Sequence, residues 1–341
     1  MSSLKSSLII CTYMRPVALT SLLDSVNDQL DYPDQILVVD GSLDNATKEV
    51  LTQKSYKNLE YFQVPPEHRG LTKQRNYGVA RVKKEIDIVS FLDDDTILEP
   101  SYFSEILDTY EKFPEAVGVG GYITNEVSWE PRAARHTGAG YYCYDGYCRK
   151  ESSRWKLRRK LGLHEELPPA IYPKSGHGRS VSSLPPSNKI YRVEQLMGGV
   201  SSFPYQILQE HKFSEYFVGY GLYEDADFTL RLSKIGKLYI NTAARLEHHH
   251  DAAGRPNKYA YGKMVVRNGW YVWKVKHPSV PLRYAFKWYA ISILQILIRL
   301  SNVVNTNSRK EALTESLGRT VGLLSLIFNP PSIDRAAPSF E

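Results

Sequence analysis

The stretch Ile86-Asp87-Ile88-Val89-Ser90-Phe91-Leu92-Asp93-Asp94-Asp95 decides the fold, because a largely apolar run stops abruptly at three consecutive carboxylates. A run without polar alternation belongs to a strand buried on both faces, as in a parallel sheet. Two earlier runs have the same form. Leu8-Ile9-Ile10-Cys11 leads into Thr12-Tyr13-Met14-Arg15-Pro16, and Gln35-Ile36-Leu37-Val38-Val39 leads into Asp40-Gly41-Ser42. Between them, Val17–Leu30 has apolar residues at 17, 19, 22, 23, 26 and 30, the spacing of one helix face. Leu71–Lys84 likewise predicts a helix ahead of the third run. Strand–helix–strand order with right-handed crossovers gives an α/β, doubly wound sheet with helices on both faces. Ligands of such sheets bind beyond the carboxyl ends of the strands, where Thr12, Asp40 and Asp93–Asp95 fall.

Around this core the chain is ordinary in composition: 341 residues, 42% apolar and 23% charged. That excludes a disordered, collagen-like or disulfide-rich chain, and the length suits about two domains or one large domain with an appendage. The net charge of +6 is unevenly placed. Residues 1–250 carry 30 Lys and Arg against 32 Asp and Glu, whereas residues 251–341 carry 13 against 5. A uniformly basic nucleic-acid binder is therefore excluded, and the run Arg154–Lys160 is expected to be a solvated or phosphate-facing stretch. Cys11, Cys143 and Cys148 are too few and too uneven for a disulfide framework, which predicts free thiols in a reducing compartment. The four-residue apolar run near the N-terminus reads as a strand and not as a signal sequence, so a cytoplasmic protein is expected.

Three clusters carry chemistry. Asp93 and Asp95 sit on alternate positions at a strand end and could share one ligand while Asp94 points aside. Adjacent carboxylates repel unless a cation relieves them, and oxygen ligands suit Mg²⁺ or Mn²⁺; otherwise the triple Asp is a solvated turn. Glu224-Asp225-Ala226-Asp227 follows the flexible Gly219-Tyr220-Gly221 and could equally open a helix, whose dipole favours acids. Leu246-Glu247-His248-His249-His250-Asp251 follows another apolar run. In a strand His248 and His250 share a face, and the pattern alone does not choose a ligand among the three histidines.

Taken in order with His68-Arg69-Gly70-Leu71-Thr72-Lys73-Gln74-Arg75-Asn76-Tyr77-Gly78, these elements resemble the family-2 inverting glycosyltransferases of GT-A fold over about residues 6–256. The resemblance implies that Thr12, Tyr13, Arg15 and Asp40 hold the base and ribose of a nucleotide sugar. It implies that Gly70, Lys73, Arg75 and Asn76 belong to the segment that closes on the nucleotide, with an Arg near the diphosphate. Asp93 and Asp95 would hold the divalent metal, Mg²⁺ or Mn²⁺, with His248 as a further ligand and Asp93 also facing the donor. The Glu224–Asp225 pair would carry the general base, mapped onto Asp225. The expected domains are 1–256, catalytic, with a long, partly mobile insertion at about 129–190, and 257–341, helical and basic.

This chemistry is coherent. A diphosphate leaving group needs its growing charge neutralised, and an acceptor hydroxyl needs a positioned carboxylate to take its proton. A sugar nucleotidyltransferase normally opens with a glycine-rich phosphate loop, which Thr12–Pro16 lacks; a non-catalytic membrane-associated assembly protein is the alternative of another class. The tail adds a location. In Tyr284–Leu300 the polar Lys287, Ser292, Gln295 and Arg299, with Arg283, fall on half of a helical wheel opposite Phe286, Trp288, Ile291 and Leu294. This predicts a helix lying in the membrane interface at the inner face of the cell membrane, with packing on the catalytic domain as the alternative. A spanning segment would want about 20 apolar residues. The expected partners are thus a nucleotide-sugar donor, a glycan or lipid-linked acceptor in surface polysaccharide or glycolipid synthesis, and a membrane surface, without nucleic acid.

Overall fold

The computed structural model describes residues 4–250 and 256–333. Its elements run β1 (Ser6–Thr12), α1 (Pro16–Asn27), β2 (Gln35–Asp40), α2 (Ala46–Gln53), β3 (Leu59–Gln63), α3 (Leu71–Val79), β4 (Ile88–Asp93), β5 (Thr96–Leu98), α4 (Tyr102–Lys112) and β6 (Ala116–Ile123). There follow β7 (Glu130–Pro131), β8 (Tyr141–Tyr144), β9 (Tyr147–Lys150), α5 (Ser153–Lys160), β10 (Ile190–Val193), β11 (Val200–Pro204), α6 (Tyr205–Glu210), α7 (Glu224–Leu232) and β12 (Lys237–His248). Three helices close the chain: α8 (Lys258–Lys276), α9 (Leu282–Asn305) and α10 (Arg309–Phe328). Two compact units result, one from residues 4–128 and 180–250, the other from 129–179 and 256–333.

The first unit is built on one sheet of order β10-β12-β6-β11-β4-β1-β2-β3, with β5 also paired to β12. The three apolar runs form β1, β2 and β4, all parallel. The sheet is mixed, because β11 runs antiparallel to both β4 and β6. From β1 the chain winds outward through β2 and β3, then returns to place β4 on the other side of β1. That reversal is the point at which such sheets open a ligand crevice. Register brings the ends level there: Thr12 pairs with Asp40, and Cys11 with Asp93. Leu8 and Ile10 of β1 pack in the same fully buried cluster as Leu19, Leu22, Leu23 and Val26 of α1, the apolar face expected from the spacing.

Some elements depart from the pattern reading. Helix α3 ends at Val79 and not at Lys84, and α2 and β3 were not expected. The edge strand β3 is only half-buried, so it lacks a continuous apolar run. Strand β12 runs from Lys237 to His248 through an irregularity between Ile240 and Arg245.

The second unit contains regular structure where a loosely ordered insertion was expected. Strands β7, β9 and β8 form a small sheet, and the Tyr144-Asp145-Gly146-Tyr147 turn joins its hairpin. Asp145 and Gly146 both take positive φ, of 44° and 82°, the two-residue turn that matches strand twist and that Asp-Gly supplies. The hairpin sets Cys143 opposite Cys148, and the two form a disulfide. The expectation of free thiols is therefore corrected for this pair; Cys11 is the free cysteine. The basic run forms α5 and is not simply solvated. Arg158 is buried and donates to the His177 carbonyl at 2.8 Å, while Arg159 pairs with Glu151 at 3.1 Å. Trp273 of α8 stacks on Trp288 of α9 at 5.3 Å and donates its indole N–H to the Lys174 carbonyl at 2.8 Å, tying residues 129–179 to the terminal helices.

Helix α9 overturns the face assigned from the wheel. Trp288, Ile291 and Ser292 are buried together, and Arg299 is ion-paired with Glu315 of α10 at 2.9 Å. Among the described residues, no helix is long and apolar enough to cross a membrane.

Candidate active site

A pocket of about 630 Å³ opens at the carboxyl ends of β1 and β4, lined by residues 11–13, 15, 69–71, 74, 93–95 and 218–225 with His248 and His250. Its floor is acidic. Asp93 ends β4, while the end of β12, paired antiparallel with β5, brings His248 to Asp95, Nε2 to Oδ1 at 3.0 Å. Ligand atoms of Asp93, Asp95 and His248 all lie within 4.8 Å of one another. Burial opposes a charge on His248, yet Asp95, Glu126 and Asp93 outweigh it and hold the imidazole up to about 10. The carboxylate–imidazole donor set is of a kind that could hold a divalent metal.

Asp94 does point aside, but it is not idle. It is buried, accepts from the Thr12 hydroxyl at 2.7 Å and from Arg15 at 3.0 Å, and burial pushes its carboxyl up to about 6 against both. Arg15 also lies 3.5 Å from Asp95, so one guanidinium steadies two of the three aspartates. Glu126, just beyond β6, was not foreseen. It lies 3.4 Å from His248 Nδ1 and 3.0 Å from His250 Nε2, and these imidazoles hold its carboxyl below the usual range. A carboxylate so placed would orient the His248 ring if the other nitrogen held a metal. An isolated Glu after a strand carries no sequence signal for that role.

The opposite wall is the start of α7. Asp225 accepts from the Ala226 N–H at 2.7 Å and the Gly198 N–H at 3.2 Å while remaining partly exposed to the pocket, and burial raises its carboxyl above the ordinary range. Glu224 is differently placed. It is buried and ion-paired with Arg75 at 2.6 Å, and burial pushes it up to about 8 against that guanidinium. Arg75 is itself buried, packed near the rings of Phe91 and Phe213, and reaches to 3.9 Å from Asp93.

Gly198 and Gly199 are the other residues that the sequence reading missed. A Cβ on Gly198 would stand 2.5 Å from the Glu224 carboxylate, and one on Gly199 would land on the Asp93 carboxylate. The Gly199 carbonyl accepts the Asp93 N–H at 3.1 Å, so the backbone is held in that close approach. Gly199→Ala should displace Asp93 and lower turnover at least about a hundredfold, the scale of a one-ångström misplacement. Steady-state kinetics beside circular dichroism will check this; unchanged kinetics would refute the close-packing role.

Not all residues expected at the nucleotide meet the pocket. Thr12, Tyr13, Arg15, Gly70 and Asp93 line it. Asp40 is fully buried, accepting from the Ser42 N–H at 2.7 Å and the Tyr61 hydroxyl at 2.8 Å. Lys73 donates to the Glu67 carbonyl, and Asn76 makes two bonds with the Phe213 backbone. Of the two arginines in the Arg69–Asn76 stretch, Arg69 lines the pocket and Arg75 lies beneath it. Gln74, also on the wall, donates to the Thr12 and Val39 carbonyls and so fastens α3 to both strand ends. Gly70, at φ 111°, lies against Gly219, whose carbonyl accepts the Leu71 N–H at 3.3 Å. This joins the two loops that wall the pocket.

Comparisons with known proteins bear on the family and the fold. The profile described as Glycosyl transferase family 2 matches residues 7–182. The chain is similar to the glucosyl-dolichyl phosphate glucuronosyltransferase of Haloferax volcanii, 30% identical over 125 residues, which cover 35% of this chain and 38% of the relative. A crystal structure of GalNAc-T7 with UDP, GalNAc and Mn2+ shares the fold at a TM-score of 0.50 and 14% identity, over 77% of this chain and 47% of that one. The chain thus spans less than half of the length of either. The fold is of GT-A type. The chain belongs to glycosyl transferase family 2. The matched span holds Thr12, Arg15 and Asp93–Asp95, whereas Glu224, Asp225 and His248 lie beyond it.

Proposed function

We propose that this glycosyltransferase moves a sugar, with inversion and with a divalent cation, from a nucleotide-sugar donor to a hydroxyl of a glycan or lipid-linked acceptor. The observation that carries the reading is the convergence of Asp93, Asp95 and His248 within 4.8 Å, in the pocket that Asp225 also lines. Asp93, Asp95 and His248 would hold Mg²⁺ or Mn²⁺, which when bound neutralises charge growing on a departing diphosphate. Arg69 and Arg15 supply further positive charge on that wall. Asp225, steadied by two backbone N–H donors, takes the proton of the acceptor hydroxyl as that oxygen attacks the anomeric carbon. Glu224 cannot share that task while it is committed to Arg75; it sets the position of α7 beside the pocket.

Attack on the face opposite the leaving diphosphate inverts the anomeric centre and needs no covalent intermediate. A lipid-linked acceptor, in surface polysaccharide or glycolipid synthesis, is supported by the similar Haloferax protein, which is named for a glucosyl-dolichyl phosphate. A panel of nucleotide sugars, assayed with and without Mn²⁺ and with polyprenyl-phosphate-linked and soluble sugar acceptors, tests the proposal. Release of nucleoside diphosphate with metal-dependent glycoside formation is expected. Release of pyrophosphate, or inertness across the panel, would overturn it.

A further inference from the structure

In the second unit the α9–α10 pair buries charged and polar side chains beside Trp288, Ile291 and Leu326, and turns a row of apolar ones outward. Arg299 of α9 and Arg319 of α10 both pair with the buried Glu315, at 2.9 and 2.7 Å, and Arg319 reaches Gln295 at 3.5 Å. Ser292 is buried too, its hydroxyl 3.2 Å from His177 Nε2. The outward stripe of α9 is Phe286, Tyr289, Ile293, Leu297, Leu300 and Val304, all exposed, Val304 to 75%. That of α10 is Leu313, Leu317, Val321, Leu324 and Phe328. Both repeat every three or four residues along nearly the whole helix. A helix pair surrounded by water keeps such rows inward and its charged pairs outward. Packing between α8 and α10 is of the same kind: Gly262 lies against the Glu315 carbonyl, and Gly318 and Gly322 against the carbonyls of Tyr259 and Lys263. Helices associate through small residues and buried polar pairs where apolar surroundings remove the advantage of burying apolar side chains.

We infer that α9 and α10 lay these stripes into an anionic bilayer as an anchor that enters the membrane without crossing it. Neither helix meets the requirement for a span. Arg283 and Lys287 flank the start of the α9 stripe, and Arg309 and Lys310 open α10, where anionic headgroups would meet them. Interfaces between proteins carry hydrogen-bonding groups throughout, whereas these stripes offer one, the Tyr289 hydroxyl. Lipid is the occupant that asks for none. The inference does not rest on the transfer chemistry, since binding is scored without turnover.

The test is flotation of the full chain with phosphatidylcholine–phosphatidylglycerol vesicles. The protein should float with these vesicles and less with phosphatidylcholine alone. Ile293→Glu with Leu297→Glu should weaken partitioning at least about a hundredfold at unchanged helix content. Should that pair lose helix, Ile293→Ser with Leu297→Ser replaces it, and reduced flotation is again expected. A wild-type chain that stays at the bottom, or a folded variant that floats equally, overturns the inference. So does a wild-type dimer in analytical ultracentrifugation that the variant breaks while neither protein floats.

Discussion

Asp225→Asn should lower turnover by about 10²- to 10⁴-fold while leaving nucleotide-sugar binding intact, because the side chain keeps its shape and loses its capacity to take a proton. The split is the informative part. In the proposed mechanism Asp225 acts on the acceptor, so a calorimetric donor affinity should not move while kcat collapses. The pH profile supplies an independent reading. Burial raises the Asp225 carboxyl, and the active form is the ionised one, so wild-type kcat should fall as pH drops through a value above the ordinary carboxylate range. In the asparagine variant that acid limb should vanish from the residual rate. Lost donor binding with retained turnover would instead place Asp225 on the nucleotide side.

The second large effect is expected at Asp95. Asp95→Asn removes one charge from a buried carboxylate that faces both His248 and Arg15. Turnover at a fixed Mn²⁺ concentration should drop at least about a hundredfold, with partial recovery at higher concentration, since a bound cation contributes several kcal/mol to such a transition state. Chelation of the wild-type enzyme should abolish transfer, and added Mn²⁺ should restore it. Direct titration of Mn²⁺ separates this from a folding defect. Equal Mn²⁺ affinity in the two proteins would remove Asp95 from the ligand set.

The parts of this site that were legible in the sequence share one property: their environment leaves a local pattern. Strands buried on both faces must be continuously apolar, so β1, β2 and β4 were visible, and the residues ending them mark the crevice. Strand β3 was not visible, because a half-exposed edge places no such demand on its residues. Gly198 and Gly199 were missed because their importance lies in what approaches them, and the carboxylates that do so are far away in the chain. Arg75 was expected in the segment that closes on the nucleotide; charge and position gave no sign that two aromatic rings and Glu224 would enclose it. Helix α9 teaches the sharpest lesson. A helical wheel shows that two faces differ, but which one is inward depends on partners, here Glu315 and Arg319, that the wheel does not contain.

Arg75 has one more consequence. A single guanidinium answers to Glu224 at 2.6 Å and to Asp93 at 3.9 Å, and thereby links the wall that carries the proposed base to the floor that carries the proposed metal ligands. The two sides are not separately editable. Substitutions at Glu224 and Asp93 share a counter-charge, so their effects should be epistatic and not additive. Any attempt to re-engineer acceptor choice from the α7 side will alter the donor side as well, and variant libraries that change these positions one at a time will pass over the combinations that work.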